Sequence, residues 1–483
     1  MNLRLLLISV LSLWGPLAVQ AQPSPLYTCY DVLFYGLECK LDPGTKRIAG
    51  TSRIRFRAVQ PAAELQLDLD GSLRAVRVTL DGLPMSFQQI QDSLRVRFPA
   101  RLRKGLVYTL EVLYAGAPDH GAVWQQDPRG AAWISLQAPG MKPSGWWPLK
   151  DRPEDLADSM QLAVIVQAGP NVAANGSLLR IEEQPGNFRR WVYRYADPVG
   201  GADLRLGIGD YRLVRETHRN AEGVYELRYF ALTAHQMQGE AWLGRIRQAI
   251  SVLERQLGPC SALRSGLTWV ESPLAPGLPA PDPVEEAAFL WFGRMLRAAS
   301  PADQPMIAGL REYAGLLYLE EVSGLEQAEA LLRTQPAERY LASRLFHTLR
   351  MRSSAPSVWS SLLRSLPRLA SPQGVSGETL MQVFSDQLGQ DYVPWFIQYL
   401  YVRKLPVLEY YYGGSVRKPV LTYRWQADTD GFNLPVELRF GEQSVLIIPE
   451  RDWNTLSGRN YVTRNASIEP PWQLFEVQEV PRP

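Results

Sequence analysis

The chain has 483 residues, 46% of them hydrophobic, and its acidic and basic residues nearly balance at a formal net charge of +2. This length exceeds an ordinary single domain, and the apolar content suffices for more than one core. The balanced charge argues against a nucleic-acid-binding surface and against an acidic tail. We therefore expect a folded, multidomain protein that does not bind nucleic acid.

Residues 1–21 have the organisation of a secretory signal peptide. A short basic start precedes an apolar core from Leu5 to Trp14, and small residues (Val19 and Ala21) stand before the cleavage site. The apolar core is too short for a membrane-spanning helix. We expect an exported protein, periplasmic or secreted, whose mature chain begins near Gln22 and has no transmembrane segment.

Two of the three cysteines flank the first predicted strand. An extended strand would hold the Cα atoms of Cys29 and Cys39 about 30 Å apart, at about 3.3 Å per residue. A disulfide between them would require the chain to double back. The oxidising compartment keeps that disulfide open as an alternative, but buried free thiols are favoured.

Short segments of alternating apolar and polar residues fill residues 22–212. Leu65–Leu69 and Leu94–Phe98 are clear examples, and turn residues such as Asp42-Pro43-Gly44 separate such segments. Period-two alternation with frequent turns is typical of antiparallel β-structure. The sequence therefore predicts an N-terminal antiparallel β domain over these residues.

Helical periodicity dominates residues 213–404, where apolar residues recur at three- and four-residue spacing. A buried strand is predicted at Leu267–Glu271, so this part is a strand-and-helix domain. The predicted helical segments are Ala241–Leu257, Glu285–Arg297, Met306–Val322, Pro336–Met351 and Glu378–Arg403, the last of them interrupted at Gly389.

The alternation returns after Pro406 and predicts a small C-terminal β-sandwich over residues 405–483. Its predicted strands are Leu408–Tyr412, Val420–Trp425, Val436–Phe440 and Ser444–Pro449, with a turn at Asp428–Gly431.

Four motif-like segments occur along the chain. The chain reads W-W-P-L-K-D-R-P-E-D-L-A-D at Trp146–Asp158 and N-V-A-A-N-G-S-L at Asn171–Leu178. It then reads L-G-P-C at Leu257–Cys260 and V-E-E-A-A-F-L-W-F-G at Val284–Gly293. Each segment alone is weak, since Trp and Phe on an apolar helical face are more often core than site. Their order and spacing together resemble the aminopeptidase N family of zinc metallopeptidases.

The resemblance implies a multidomain α+β fold in which a thermolysin-like α/β peptidase domain lies between the two β domains. In that family a helix carries H-E-x-x-H, whose two His bind zinc while the Glu acts as general base. Aligning W-F-G places the base at Glu286, the His positions at Glu285 and Phe289, and the third ligand position at Ala308. Phe289 and Ala308 have no donor atom, so we expect no zinc cofactor there.

Two further residues match the family by resemblance alone. Gln137, in W-I-S-L-Q-A-P, resembles a residue that borders the family's substrate pocket. Tyr340 resembles the Tyr that stabilises the oxyanion, although Ala342-Ser343 replaces the family's K-G; the alternative is an aromatic residue on a helix core face. The G-x-M-E-N segment, whose Glu holds the substrate amine, has no equivalent in Ser272–Ala280, which contains no acid.

The remaining polar candidates favour structural roles. Glu286 would have no metal-bound water to activate, and it could persist through an ion pair with Arg311 or Arg344. Because Phe289 and Ala308 replace polar groups that would be costly to bury without metal, the vacated site should be apolar and closely packed around Phe289. The four histidines lie in separate segments without a pair one helical turn apart, and we expect ordinary surface or core residues: His120, His218, His235 and His347.

We weigh three classes of function. The favoured one is an exported, catalytically inactive pseudo-peptidase that binds a peptide or an envelope protein. The alternative is an active metallo-aminopeptidase with a non-standard metal site. A different hydrolase is the least favoured, because no G-x-S-x-G elbow or Cys/His pair stands out, although sequence gives no carboxylate separation with which to judge a glycosidase.

Overall fold

The computed structural model describes residues 24–136, 141–152, 155–264, 266–273, 282–336, 339–371, 373–415, 418–440, 442–457, 467–468 and 473–482. The predicted signal peptide, Gln137 and most of Ser272–Ala280 lie outside these described residues. None of the helices in the described ranges is long and apolar enough to cross a membrane.

The N-terminal region consists of β-sheets, as predicted. A short helix, α1 (Pro25–Thr28), precedes the strands. The strands are β1 (Tyr30–Asp42), β2 (Arg47–Ala58), β3 (Glu64–Asp68), β4 (Leu73–Leu80), β5 (Leu83–Pro84), β6 (Ser86–Ile90), β7 (Ser93–Arg97), β8 (Val107–Gly116), β9 (Ala122–Gln126), β10 (Ala132–Leu136), β11 (Ser159–Gln167), β12 (Asn171–Ala174), β13 (Ser177–Gln184), β14 (Phe188–Tyr195) and β15 (Leu206–Gly209).

These strands form an eight-stranded sheet in the order β13-β14-β11-β1-β2-β8-β4-β5, and two smaller sheets, β12-β15-β10-β9 and β3-β7-β6. Neighbouring strands are antiparallel except for β1 and β11, which run parallel. Alternate residues of β1, such as Leu37, Cys39 and Leu41, enter the core while the intervening side chains face out. The predicted alternation thus forms the core, but the parallel pair was not predicted.

The W-W-P segment lies inside this β region. Trp146 and Trp147 are fully buried. The ammonium of the buried Lys150 donates a 2.7 Å hydrogen bond to the Tyr30 carbonyl and forms an ion pair with Asp155. A buried charge is tolerated only when it is paired and hydrogen-bonded, so these contacts explain how a lysine can occupy the interior.

All three cysteines are free and buried. Burial raises the pKa of the Cys39 and Cys260 thiols to about 12. The disulfide between Cys29 and Cys39 is therefore absent, and the free-thiol interpretation is correct. Cys39 lies within the continuous strand β1, whose extended backbone carries it away from Cys29.

The middle of the chain combines a three-stranded sheet with helices packed around one apolar core. The sheet contains β16 (Tyr211–Asn220), β17 (Gly223–Leu232) and β18 (Leu267–Val270), with β18 parallel to β17. The helices are α2 (Gln236–Leu257), α3 (Pro283–Phe289), α4 (Gln304–Ser323), α5 (Leu325–Thr334), α6 (Leu341–Arg352), α7 (Pro356–Ser365), α8 (Gly377–Leu388) and α9 (Val393–Phe396).

The predicted helix Glu285–Arg297 is wrong in its second half. Helix α3 ends at Phe289 and is followed by one π-helical turn, Leu290–Met295. Inside this turn the backbone leaves helical geometry at Phe292 and Gly293. Helices α5 and α7 were not predicted. Gly389 ends α8 in a left-handed conformation, as its position between two predicted helices indicates.

The C-terminal region contains two small sheets, as predicted. Their orders are β23-β20-β19-β25 and β22-β21-β24. The apolar core is continuous from the helices into this region, where Tyr399 donates a 2.9 Å hydrogen bond to the Leu474 carbonyl. The strands are β19 (Val407–Ser415), β20 (Lys418–Gln426), β21 (Val436–Phe440), β22 (Gln443–Ile447), β23 (Asn454–Ser457), β24 (Ser467–Ile468) and β25 (Glu476–Glu479).

Candidate functional site

Helix α3 begins with a well-formed cap. The Asp282 carboxylate accepts hydrogen bonds from the backbone N–H groups of Val284 and Glu285, and Pro283 occupies the first turn. These features favour helix initiation. The sequence therefore starts the helix at the point that places Glu286 in its first turn.

The end of α3 depends on a close contact. A side chain at Gly293 would place its Cβ 2.2 Å from the ring of Phe289. Glycine is therefore required where the chain turns back against this ring. The W-F-G match marks the break after the helix rather than its continuation.

Glu286 is half-buried and bonded to a tryptophan. The indole N–H of Trp269, on β18, donates a 3.1 Å hydrogen bond to Glu286 Oε2. Trp269 meets Trp242 of α2 edge-on at 5.5 Å, and Trp242 stacks on Tyr229 at 4.6 Å. The carboxylate thus lies at an aromatic cluster, here called the aromatic wall, formed by Tyr229 of β17, Trp269 of β18 and Trp242 of α2.

The observed partner of Glu286 differs from the expected ion pairs. Arg311 is exposed on α4. Arg344 is fully buried in α6 and donates hydrogen bonds to backbone carbonyls before that helix. A neutral indole therefore holds Glu286, and helix propensity together with this hydrogen bond accounts for its position.

A second carboxylate lies beside this wall. Glu271 directly follows β18, where Oε1 lies 2.6 Å from Nδ1 of His235 and Oε2 accepts a 2.7 Å hydrogen bond from the Leu232 N–H. Burial raises the pKa of the Tyr229 phenol far above its ordinary value, and the charges of Glu271 and Glu286 raise it further. Both carboxylates therefore act on the same phenol.

Glu271 and Tyr229 were missed by the sequence analysis. The search for an amine-binding acid began at Ser272, one residue after Glu271. The signal that could have found Glu271 is period-two spacing, which places residues 269 and 271 on the same side of an extended chain. Tyr229 could not be found this way, because β17 and β18 are neighbours only in the tertiary structure.

The three predicted ligand positions do not form a buried pocket. Glu285 and Ala308 are exposed, and Phe289 is half-buried. The expectation of a closely packed site around Phe289 is therefore wrong. One turn beyond Ala308 on α4, Glu312 accepts a 2.8 Å hydrogen bond from the Ser343 N–H and so caps the start of α6. This acid was also missed.

Tyr340 is the N-cap residue of α6 and has a left-handed backbone, with φ of 59°. This conformation is uncommon for a bulky residue and persists only where surrounding contacts hold the backbone. The guanidinium of Arg344 holds the segment before Tyr340 by donating hydrogen bonds to four backbone carbonyls, those of Leu332, Gln335, Pro336 and Arg339. Tyr340 is half-buried against the helical core. No contact between Tyr340 and Glu286 is seen in the described part of the chain.

The residues at the helix do not fit a zinc ion. Zinc in a catalytic site takes three protein ligands, and the positions of Phe289 and Ala308 supply no donor atom. Across the described ranges, no three His, Cys, Asp or Glu side chains come together in a group that could hold a metal. We therefore derive no chemistry through a metal at this helix.

No family model and no curated protein matches this sequence. Solved structures do match. An M1 zinc metallopeptidase from Deinococcus radiodurans has 21% identity and a TM-score of 0.64, covering 78% of this chain and 94% of its own. The chain has the fold of M1 zinc metallopeptidases.

Two other structures extend this likeness. A mutant of the Deinococcus enzyme bound to a Tyr-Ser-Ala substrate has 21% identity and a TM-score of 0.63, covering 78% of this chain and 95% of its own. Legionella pneumophila aminopeptidase A in complex with aspartic acid has 13% identity and a TM-score of 0.74, covering 93% of this chain and 60% of its own. The TM-scores show a shared fold, and at these identities the likeness shows the fold alone.

Proposed function

We propose that this chain is an exported, catalytically inactive relative of the M1 aminopeptidases that binds a peptide or an envelope protein. The observation that carries the proposal is the hydrogen-bond partner of Glu286. The residue at the general-base position accepts a hydrogen bond from the Trp269 indole on a wall of aromatic rings. The aligned ligand positions Phe289 and Ala308 offer no metal donor.

The same wall supplies the chemistry for binding. Peptides present N–H donors and apolar side chains, which carboxylate oxygens and aromatic faces complement. The charges of Glu271 and Glu286 both act on the Tyr229 phenol, Trp242 stacks on the Tyr229 ring, and Trp269 meets Trp242 edge-on. This combination suits a peptide segment better than an anionic ligand.

Metal content and hydrolysis of an aminoacyl reporter test the absence of catalysis. We expect mature protein purified without chelators to contain no stoichiometric zinc, and reporter turnover no faster in the presence of added zinc. Zinc-dependent turnover abolished by Glu286→Gln would instead establish the alternative, an active metallo-aminopeptidase with a non-standard metal site.

Peptide binding is tested by calorimetry with a tripeptide panel that includes Tyr-Ser-Ala. We expect Glu271→Gln and Trp269→Phe to weaken binding, because the first removes a negative charge from the wall and the second removes an indole N–H. Glu326→Gln, at an exposed position on α5, is the matched control and should bind like the parent. Equal affinity for all four proteins would place peptide binding elsewhere and contradict this part of the proposal.

A further inference from the structure

Two adjoining cavities lie in the C-terminal region. They have volumes of about 440 and 300 Å³. They share the lining residues Trp425, Ala427 and Arg451, so together they form one groove. The lining residues lie between positions 404 and 452, outside β18 and α3, and the groove is thus separate from the wall around Glu286.

The charges that line the groove are balanced. Three basic residues and three acidic ones line the two cavities: Lys404, Arg424 and Arg451, and Asp428, Glu450 and Asp452. Such a lining offers no surplus charge of either sign. A ligand held mainly by Coulomb attraction, such as a phosphate or a metal cation, therefore gains little here.

Each basic residue is also already paired. The side chains of Lys404 and Asp428 approach to 3.6 Å, and those of Arg451 and Asp430 to 2.6 Å. Both pairs are exposed, so solvent screens them. The carboxylates beside each cation would repel an incoming anion, which disfavours anionic ligands further.

The pair between Arg424 and Glu409 is the least exposed of the three. Arg424 Nε and Nη2 each lie 2.7 Å from the same Glu409 oxygen, Oε2, and the Glu409 side chain is only 12% exposed. A guanidinium has five N–H donors and a carboxylate has two acceptor oxygens. Arg424, which lines the groove, therefore still has N–H groups with which to donate hydrogen bonds to a ligand, and the groove's own carboxylates supply acceptors.

An aromatic surface adjoins this pair. The guanidinium of Arg424, which lines the groove, lies 4.4 Å from the ring centre of Trp453. The ring of Tyr411 meets Trp453 edge-on at 5.1 Å. Both aromatic residues are half-buried, so part of each ring remains accessible.

We propose that this groove binds a neutral saccharide. A sugar hydroxyl both donates and accepts hydrogen bonds, which matches side chains that present donors and acceptors without net charge. The C–H faces of a pyranose ring are apolar and can pack on an aromatic ring. The two adjoining cavities together offer room for more than one sugar ring, so we expect an oligosaccharide rather than a single sugar.

The test uses the full chain with cellulose, chitin, starch and mannan in sedimentation assays, followed by calorimetry with soluble tetrasaccharides of the polymer that binds. We expect binding to one of these polymers that changes little between low and high salt, since no counterions are released. Arg424→Gln, at a lining residue, and Trp453→Ala, at the ring under Arg424, should each weaken it about tenfold, as expected for losing one strong contact.

Two further variants control for folding. Gln426→Ala changes an exposed lining residue without disturbing the core and should also weaken binding, while Arg439→Gln, exposed on β21 outside the groove, should not. Binding of none of the four polymers would overturn the proposal. So would saccharide binding that the three groove variants leave unchanged, or salt-sensitive binding restricted to anionic polymers such as heparin.

Discussion

The W-W-P segment and helix α3 both resemble parts of the aminopeptidase N family, yet they differ in what surrounds their polar groups. In the W-W-P segment, Lys150 is buried and paired with Asp155. At α3, Glu285 is exposed and Glu286 contacts a neutral indole. The buried lysine is therefore held by an ion pair and a hydrogen bond, whereas the two acids of α3 lie at or near the surface, where solvent stabilises their charges.

The largest expected effect is a loss of stability when the Lys150–Asp155 pair of the W-W-P segment is broken. Lys150→Met should lower the free energy of unfolding of the N-terminal region by about 3–5 kcal/mol, because it leaves the carboxylate of Asp155 buried without its partner. Urea denaturation followed by circular dichroism measures the loss. Lys142→Met, which removes an exposed lysine, is the control and should change stability by less than about 0.5 kcal/mol. A loss no larger than the control would show that the pair does not stabilise the segment.

The next effect concerns the loop before α6. Arg344→Met should cost about 2–4 kcal/mol, because several buried carbonyls lose their donor. The left-handed turn at Tyr340 should loosen as well. Hydrogen exchange of residues 335–345 reports the loosening, and a thermal melt reports the stability. Unchanged exchange in that loop would mean that other contacts fix Tyr340.

Placing the family's zinc ligands at residues 285, 289 and 308 tests whether these positions on α3 and α4 are as exposed as the structure indicates. The triple change Glu285→His, Phe289→His and Ala308→Glu should cost only about 1–2 kcal/mol without metal, since two of the positions are exposed and only Phe289 loses packing. A thermal melt with and without zinc measures this cost and any metal uptake. A loss of several kcal/mol without metal would show that these positions are buried in solution.

The smallest effect is a pH dependence in α6. Burial and the charge of Arg350 lower the pKa of His347, while Glu329 and Glu320 oppose the shift. The unfolded chain, whose His has a pKa near 6.5, therefore binds the proton more readily than the folded one. Stability should decline as pH falls below this value. Urea midpoints at pH 7.5 and 5.5 measure the decline, and His347→Gln should reduce it; an equal decline in both proteins would assign it to other groups.

The order of β, helical and β regions could be predicted because it depends on local periodicity. Alternating residues in β1 and the three- and four-residue spacing in α2 each reflect which side of an element meets the core. The break after Phe289 could not be predicted in this way. It depends on the packing of one ring against Gly293, and apolar residues continue through the break with no change of pattern.

The candidate site was predicted only in part. The resemblance to the aminopeptidase N family identified Glu286 and Phe289 on α3, and Ala308 on α4, as the positions to inspect. It did not identify Trp269 as the partner of Glu286, nor Glu271 as the second carboxylate, since these residues belong to a different element. It also gave no means of knowing that Ala308 is exposed.

The sequence by itself determined the class of fold and the chemical identity of each motif position, because hydrophobic periodicity and residue type are local properties. The tertiary structure alone decided which side chains meet: the indole on Glu286, the histidine on Glu271, and the carbonyls around Arg344. Such contacts join residues that are distant in the chain, and their geometry follows from the packing of whole elements. No pattern within a single segment contains that information.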